Sequence, residues 1–357
     1  MVKAQKAQVR RSRPYLAGAG VILLGVLGYI AYGYFDKFVD PPRQIAVRVE
    51  DSEYTRGDVV NFIRFNQRLA EDMGQEFQIG NSLFDALQVI QDDEISVRAA
   101  PSLGVTVSPE ELEARLESLA GFPGLTPEER GNPRTRQSLD EANRQLLNKI
   151  GLAEDVFREI VRKAMFKEKV REAVGKDVPR ILPQVHVYEI VLTESNPQTI
   201  QRIGRDLHSG DAPADVALRY SQDPNAKRTR GETGWFPRGV LPQLDTMLWG
   251  TKQDGSRVLP FGLPSEPQYN PDGKTYNIYV VTEFAEAREL SETSFKKLED
   301  AALQDYLSAR RRDLAERGAL FMALDDKIYS WVNKQVKLAS LGATPTPGSA
   351  LSQFGLQ

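Results

Sequence analysis

An apolar run opens the chain, and two changes of hydrophobic period follow it. Tyr15 to Phe35 holds 21 residues without a charge. A helix rises about 1.5 Å per residue, so this run matches the roughly 30 Å hydrocarbon core of a bilayer. Ile45 to Val49 alternates and predicts a short strand. A helical period then takes over. Val59, Phe62, Ile63, Asn66, Leu69 and Met73 share one face of a helix opened by Thr55, and Leu83, Leu87, Ile90 and Val97 share one face of a second that ends near Gly104. Ser108-Pro109-Glu110-Glu111 predicts a capped start with proline at the first helical position, followed by Leu112, Leu116 and Leu119. Gly121 to Ser138 is rich in proline, glycine and charge and reads as an exposed insertion. Helices are expected over Asp140–Ile150 and Glu154–Val174, the latter with Val156, Ile160, Ala164, Val170 and Val174 as its stripe.

From Gln184 the period drops to two. Val185, Val187, Glu189 and Val191 face one way, and His186, Tyr188, Ile190 and Leu192 the other. Asn196-Pro197 starts a helix with Ile200, Ile203 and Leu207 inward, stopped by Gly210; Pro213 to Tyr220 is a second. Val258 to Gly273 is a proline-rich loop, and Thr275 to Thr282 alternates as a closing strand. This order predicts a small α+β sheet domain. Ser291–Gly318 and Ala319–Val336 read as one or two long helices, with Leu320, Leu324, Ile328, Trp331 and Val332 as the stripe of the second stretch. Ala339 to Gln357 is polar and is expected to lack a fixed fold.

With 357 residues the chain can hold two ordinary domains. Its net charge of −3 argues against a nucleic-acid binder. No cysteine is present, which removes disulfides and thiolate chemistry, and the two histidines, His186 and His208, leave little for a metal site or a Ser-His-Asp triad. Lys3, Lys6, Arg10, Arg11 and Arg13 precede the apolar run, so the positive-inside bias puts the N-terminus in the cytoplasm and the bulk of the chain outside. A cleaved signal peptide would have a shorter apolar region and a small-residue end; this run ends in Tyr-Gly-Tyr-Phe.

The candidate chemistry lies in Ser221 to Trp249. It holds Ser221-Gln222-Asp223, a basic loop (Lys227, Arg228, Arg230), paired Gly231 and Gly234, Trp235-Phe236 and a second turn at Arg238-Gly239. This stretch, with the strands on either side, resembles the parvulin family of peptidyl-prolyl isomerases over roughly Val185 to Glu283. The upstream helices, with Leu103 to Leu112 (LGVTVSPEEL), resemble the N-terminal chaperone domain of extracytoplasmic parvulin foldases of the SurA, PpiD and PrsA kind.

The resemblance implies a site without cofactor or metal. Asp223 stands where the family has Cys or Asp, and Glu189 and Asn277 stand at its two histidine positions; these are the implied catalytic residues. Thr233, Phe236, Val240 or Leu241, Leu244 and Trp249 are the implied proline cup, with Thr233 and Leu244 in place of the family's Leu and Phe. The plain reading of Glu189 and Asp223 is two solvated or hydrogen-bonded acids; the sharper one is that they share a partly buried cleft with Asn277, which would raise at least one carboxyl pKa. The implied layout is a basic segment (1–14), a transmembrane helix (15–35), a linker (36–43), a SurA-like helical domain (44–182), a parvulin domain (184–285), C-terminal helices packing back on the helical domain (288–336) and a tail (337–357). The implied function is a membrane-anchored foldase for newly exported or unfolded polypeptides and their X-Pro segments. Two alternatives stand beside it: a holdase without turnover, and a structural partner of the translocon or envelope machinery.

Overall fold

The protein is described here by a computed structural model covering residues 25–36, 40–72, 74, 77 and 79–340. The chain divides into a first unit, up to Val170 and again from Leu307, and a second unit, Arg171 to Tyr306. The first stretch of unit 1 holds α1 (25–34), β1 (Ile45–Val49), β2 (Ser52–Thr55), α2 (Arg56–Asp72), α3 (Ile79–Ala99), α4 (Pro109–Leu119), α5 (Pro127–Gly131), α6 (Pro133–Ile150) and α7 (Glu154–Gly175), which runs on into unit 2. Unit 2 contains β3 (Ile181–Leu192), α8 (Pro197–His208), α9 (Pro213–Tyr220), α10 (Ala226–Thr229), β4 (Glu232–Pro237), α11 (Asp245–Trp249), β5 (Gln268–Asn270) and β6 (Thr275–Glu289). α12 (Glu292–Glu316) returns to unit 1, which ends with β7 (Leu320–Met322) and α13 (Asp326–Ser340).

Among the described residues no helix is long and apolar enough to cross a membrane. The basic segment 1–14, residues 15–24 of the expected span, Met73, the side chain of Leu69 and the tail 341–357 lie outside them. α1 is the described part of the span, and its Val26, Leu27 and Ile30 are exposed.

In unit 1, β1 is the middle strand of an antiparallel sheet ordered β2-β1-β7. This corrects the expected helix over Ala319–Val336. Gly318, at φ 67°, ends α12 in the left-handed region, which glycine adopts without a Cβ clash. Leu320 then enters a strand against Val49, and Leu324 is exposed. A new helix starts only where the Asp325 carboxylate accepts the Ile328 N–H at 2.8 Å, and α13 buries Ile328, Val332 and Val336 while packing on α2 and α3.

The expected insertion at 121–138 is exposed but largely helical. Thr126 and Glu129 form a capping box for α5, Asn132 caps α6, and Pro127 and Pro133 sit at the first helical position, where a missing N–H costs nothing. The stripe of α7 is also shifted. Phe157, Val161 and Val170 are buried, Val156 and Ile160 are half-buried, and Ala164 is exposed. The capping box at Ser108 and the burial of Leu112, Leu116 and Leu119 follow the pattern read from sequence. So do Leu83, Leu87 and Ile90 on α3, whereas Val97 is only half-buried.

The pattern gave no sign that Asp92, Asp93 and Glu94, consecutive on α3, would all be buried. Their compensation comes from other elements. Lys167 meets Asp93 at 3.1 Å, Lys163 meets Glu94 at 3.1 Å, and Arg311 lies 3.5 Å from Asp92. Glu94 also accepts from Tyr54, from Ser52 at 2.9 Å and from Arg98 at 3.0 Å.

Unit 2 is built on an antiparallel sheet ordered β4-β3-β6-β5. β6 continues past the expected end at Thr282, because Phe284 to Glu289 pair with Ile181 to Val185. One face carries Ile190, Leu192, Ile278 and Val280 against Ile203, Leu207, Val216 and Ala217 of α8 and α9. The other face carries Val185, Val187 and Val281 against Leu244, Leu248 and Leu259. Both faces are therefore covered, as the alternation along β3 requires once apolar residues stand on each side.

Candidate functional site

Glu189 lies on the second of these faces, opposite Tyr279 in the register of β3 and β6, with Asn277 two residues away on the same side. The Asn277 amide donates to Glu189 Oε1 at 2.7 Å and its Oδ1 accepts from Thr275 at 2.9 Å. Asn277 is 6% exposed, so this is a buried polar pair, with Glu189 half-buried at its open side. The structure thus brings together the two positions singled out on separate strands.

Tyr279 completes the group. Burial, and then the charge of Glu189, push its phenol up to about 12, so it stays a neutral donor across physiological pH. Ser265 fixes it from the far edge: the Tyr279 N–H donates to Ser265 Oγ at 2.9 Å, and the Ser265 N–H donates to the Tyr279 carbonyl at 2.8 Å. Neither residue was picked out in the sequence. The alternation Asn277, Tyr279, Val281 was a sufficient signal for Tyr279, whereas Ser265 sits in an irregular loop that carries no periodic signal.

Around this floor, Phe236, Leu241, Met247, Trp249 and Tyr279 pack half-buried on the cluster that contains Leu244. Leu244 is 6% exposed, and Val240 is equally closed at 6%. Leu244 belongs to the buried part of that cluster. Thr233 is exposed and donates to the Val187 carbonyl at 2.8 Å. Thr233, Phe236 and Val240 line a separate cavity of about 900 Å³ with Trp235, Arg288 and Lys297. The implied cup is divided between two surfaces that meet at Phe236. The buried indole N–H of Trp249 has no partner among the described residues.

Asp223 is not joined to Glu189 or Asn277 by any hydrogen bond among the described residues. Its carboxylate accepts the Asn225 N–H at 3.0 Å and closes its own turn. The segment before it is tied to β3: the Gln222 N–H donates to the Val191 carbonyl at 2.7 Å, and the Ser221 hydroxyl accepts from the Val191 N–H at 3.1 Å. Asp223 therefore closes a turn beside β3, next to the strand position Val191 that pairs with Asn277. In the basic loop, Lys227 and Arg228 are exposed on α10, and Arg230 pairs with Asp215.

Gly231 holds the loop to the floor. Its carbonyl accepts the Glu189 N–H at 2.7 Å, it adopts φ 76°, and a Cβ there would meet the Ala217 side chain and come within 2.7 Å of the Glu189 carbonyl oxygen. Only glycine fits. His186 lies on the opposite face, as the alternation requires. It is 7% exposed, its Nδ1 meets Thr282 Oγ1 at 2.9 Å, its Nε2 meets Glu232 at 2.9 Å, and its ring stacks on Trp235. His208 bonds the Gly204 carbonyl within its own helix at 2.6 Å.

No family model matches the sequence, and no curated protein does. The solved structures it resembles are foldases and chaperones. Peptidylprolyl isomerase PrsA from Bacillus anthracis is 17% identical, with 72% of this chain and 98% of that one covered at a TM-score of 0.34. PrsA from Bacillus cereus is 21% identical, with 83% and 99% covered at 0.34. A SurA-like chaperone of Campylobacter jejuni is 14% identical, with 79% and 99% covered at 0.24.

Proposed function

We propose that this protein is a foldase working outside the cytoplasm, held by a single N-terminal span. In this reading unit 2 is a parvulin-type peptidyl-prolyl isomerase of low rate, and unit 1 holds unfolded or newly exported chains. The observation that carries it is the Glu189–Asn277 hydrogen bond at the edge of an apolar surface made by Phe236, Leu241 and Trp249 on one face of the β3–β6 pair. The span rests on the uncharged run Tyr15 to Phe35 and the basic residues before it.

Turning an X-Pro bond requires neither nucleophile nor cofactor. The barrier of about 18–20 kcal/mol is the loss of amide resonance. A site lowers it by holding the proline ring on apolar walls and favouring the twisted amide over either planar form. Here Phe236, Leu241 and Trp249 supply walls, and Glu189, Asn277 and Tyr279 supply the polar floor. The floor is already paired with itself, and Asp223 is engaged in its turn, so little is left to stabilise the twisted amide; hence the low rate.

The same observation favours a second reading, in which unit 2 only grips extended X-Pro segments. A protease-coupled isomerisation assay on the full chain in detergent micelles separates the two. A rate above background that Asn277→Ala and Trp249→Ala both lower at least tenfold supports the isomerase. No rate, with suppression of client aggregation, supports the holdase. Absence of both sinks the foldase reading.

A further inference from the structure

Unit 1 contains a cleft that the site above does not use. It has a volume of about 350 Å³ and is walled by the end of β2, the start of α2, the middle of α3 and the first turns of α7. Its apolar lining is Tyr54, Phe62, Ile90, Val156 and Ile160, and all of these except Ile90 are half-buried rather than closed. The shifted stripe of α7 is the reason: Phe157 and Val161 took the core positions, which left Val156 and Ile160 facing this space.

The polar lining has one dominant sign. Glu53, Asp58, Asp93, Asp155 and Glu159 stand around it with a single cation, Lys163. Lys163 is already neutralised, by Glu94 at 3.1 Å and Glu159 at 3.5 Å, and Glu159 is itself paired with Arg162 at 2.8 Å. Asp93 is held by Lys167 and Asp58 by the Thr55 N–H at 2.7 Å. Glu53 has only Arg48 at 4.0 Å, and Asp155 makes no ion pair among the described residues. Apolar walls of low dielectric under a rim of net negative charge attract cations and repel anions. A second feature speaks for an extended chain as the occupant. β2 is an edge strand of its sheet, and its Glu53 and Tyr54 line the cleft, so a polypeptide can run along that edge.

We propose that this cleft holds one large apolar side chain of an extended polypeptide that carries a lysine or arginine within one or two residues of it. The inference rests on the foldase reading and gives its client segment a chemistry.

The test uses the full chain in detergent micelles and two fluorescent peptides equal in length and apolar content. One has lysines flanking a central phenylalanine, and the other has glutamates. Fluorescence anisotropy is expected to show at least tenfold tighter binding of the lysine peptide. The double variant Glu53→Gln, Asp155→Asn removes two exposed charges, and an unchanged melting temperature verifies that it folds. It should weaken the lysine peptide about fivefold and flatten the salt dependence. Equal binding of both peptides, binding of neither, or full retention in the double variant overturns the proposal. Client aggregation, measured on the same samples, keeps the two readings apart. Suppression without peptide discrimination sinks the cleft and leaves the foldase. Discrimination without suppression or isomerisation leaves the cleft and sinks the foldase.

Discussion

The two units bury polar groups in opposite ways. In unit 1, three acids in a row on α3 are closed off and answered by Lys163, Lys167 and Arg311 from α7 and α12. In unit 2, a single carboxylate meets a single neutral amide, and both belong to adjacent strands. The first arrangement joins segments far apart in sequence, and each of its acids faces a cation from another helix. The second joins neighbours that the sheet would hold anyway, and it leaves one side of Glu189 open beside apolar walls. Buried charge with several cationic partners reads as architecture, whereas a small polar pair at the edge of an apolar surface reads as a site.

The largest test of this contrast is Glu94→Ala. It removes the buried acceptor shared by Lys163, Tyr54 and Arg98 and should cost about 3–5 kcal/mol, read by urea unfolding. A cost below about 1 kcal/mol would reduce the cluster to ornament. Gly231→Ala comes next. The left-handed backbone alone costs about 1–3 kcal/mol, and the contact with Ala217 adds to it. Because Trp235 and Trp249 both belong to unit 2, their fluorescence should report the loss there first. Asn277→Ala should cost about 1–3 kcal/mol by leaving Glu189 without its donor, and it should lower any isomerisation rate far more than Glu94→Ala does in protein that remains folded.

Acid titration sharpens the contrast further. Burial pushes Asp92 and Asp93 up, so their folded form takes protons before the unfolded chain does. That contribution to stability grows as pH falls from neutral through the raised values. Burial also acts on Glu94, but Tyr54 and Lys163 outweigh it and hold its carboxyl low. Its contribution is present above the unfolded value and is lost as pH falls through the lower folded one. Melting temperature should therefore rise and then fall on acidification, and Asp93→Asn should flatten the rise. The smallest effect expected is that of Asp223→Ala, about 0.5–1 kcal/mol for a lost turn cap, with no change in isomerisation rate. A large drop in rate would return Asp223 to the floor.

Much of unit 2 was legible because a period of two is a local signal. Val185 to Leu192 and Thr275 to Thr282 announced both central strands, and with them the face shared by Glu189 and Asn277. Caps were legible for the same reason at Ser108 and Asn196. What escaped depends on partners distant in sequence. Leu320 to Met322 reads as helix until β1 is beside it. The phase of α7 is decided by α4 and α6, which compete for Phe157 and Val161. Asp92 to Glu94 looks like a solvent face until the cations arrive. Depth is a further property that spacing does not carry: nothing in the sequence marks Val240 and Leu244 as closed to 6% exposure while Phe236 and Trp249 stay half-buried.

The pairing of Val47 with Met322 also sets a timetable. β1 leaves the ribosome before unit 2 is made, and one of its two neighbours only after it. Residues 171–306, which form a unit of their own, are complete before β7 exists. Until then the outer edge of β1 and the surface of α2 that receives α13 stay open to solvent, proteases and strand-seeking neighbours. A product cut short anywhere before Leu320 would keep that wound permanently, however well its middle had folded. The clasp of β1 by β7 thus works as a check on synthesis: unit 1 closes only for chains that have passed unit 2 and reached α13.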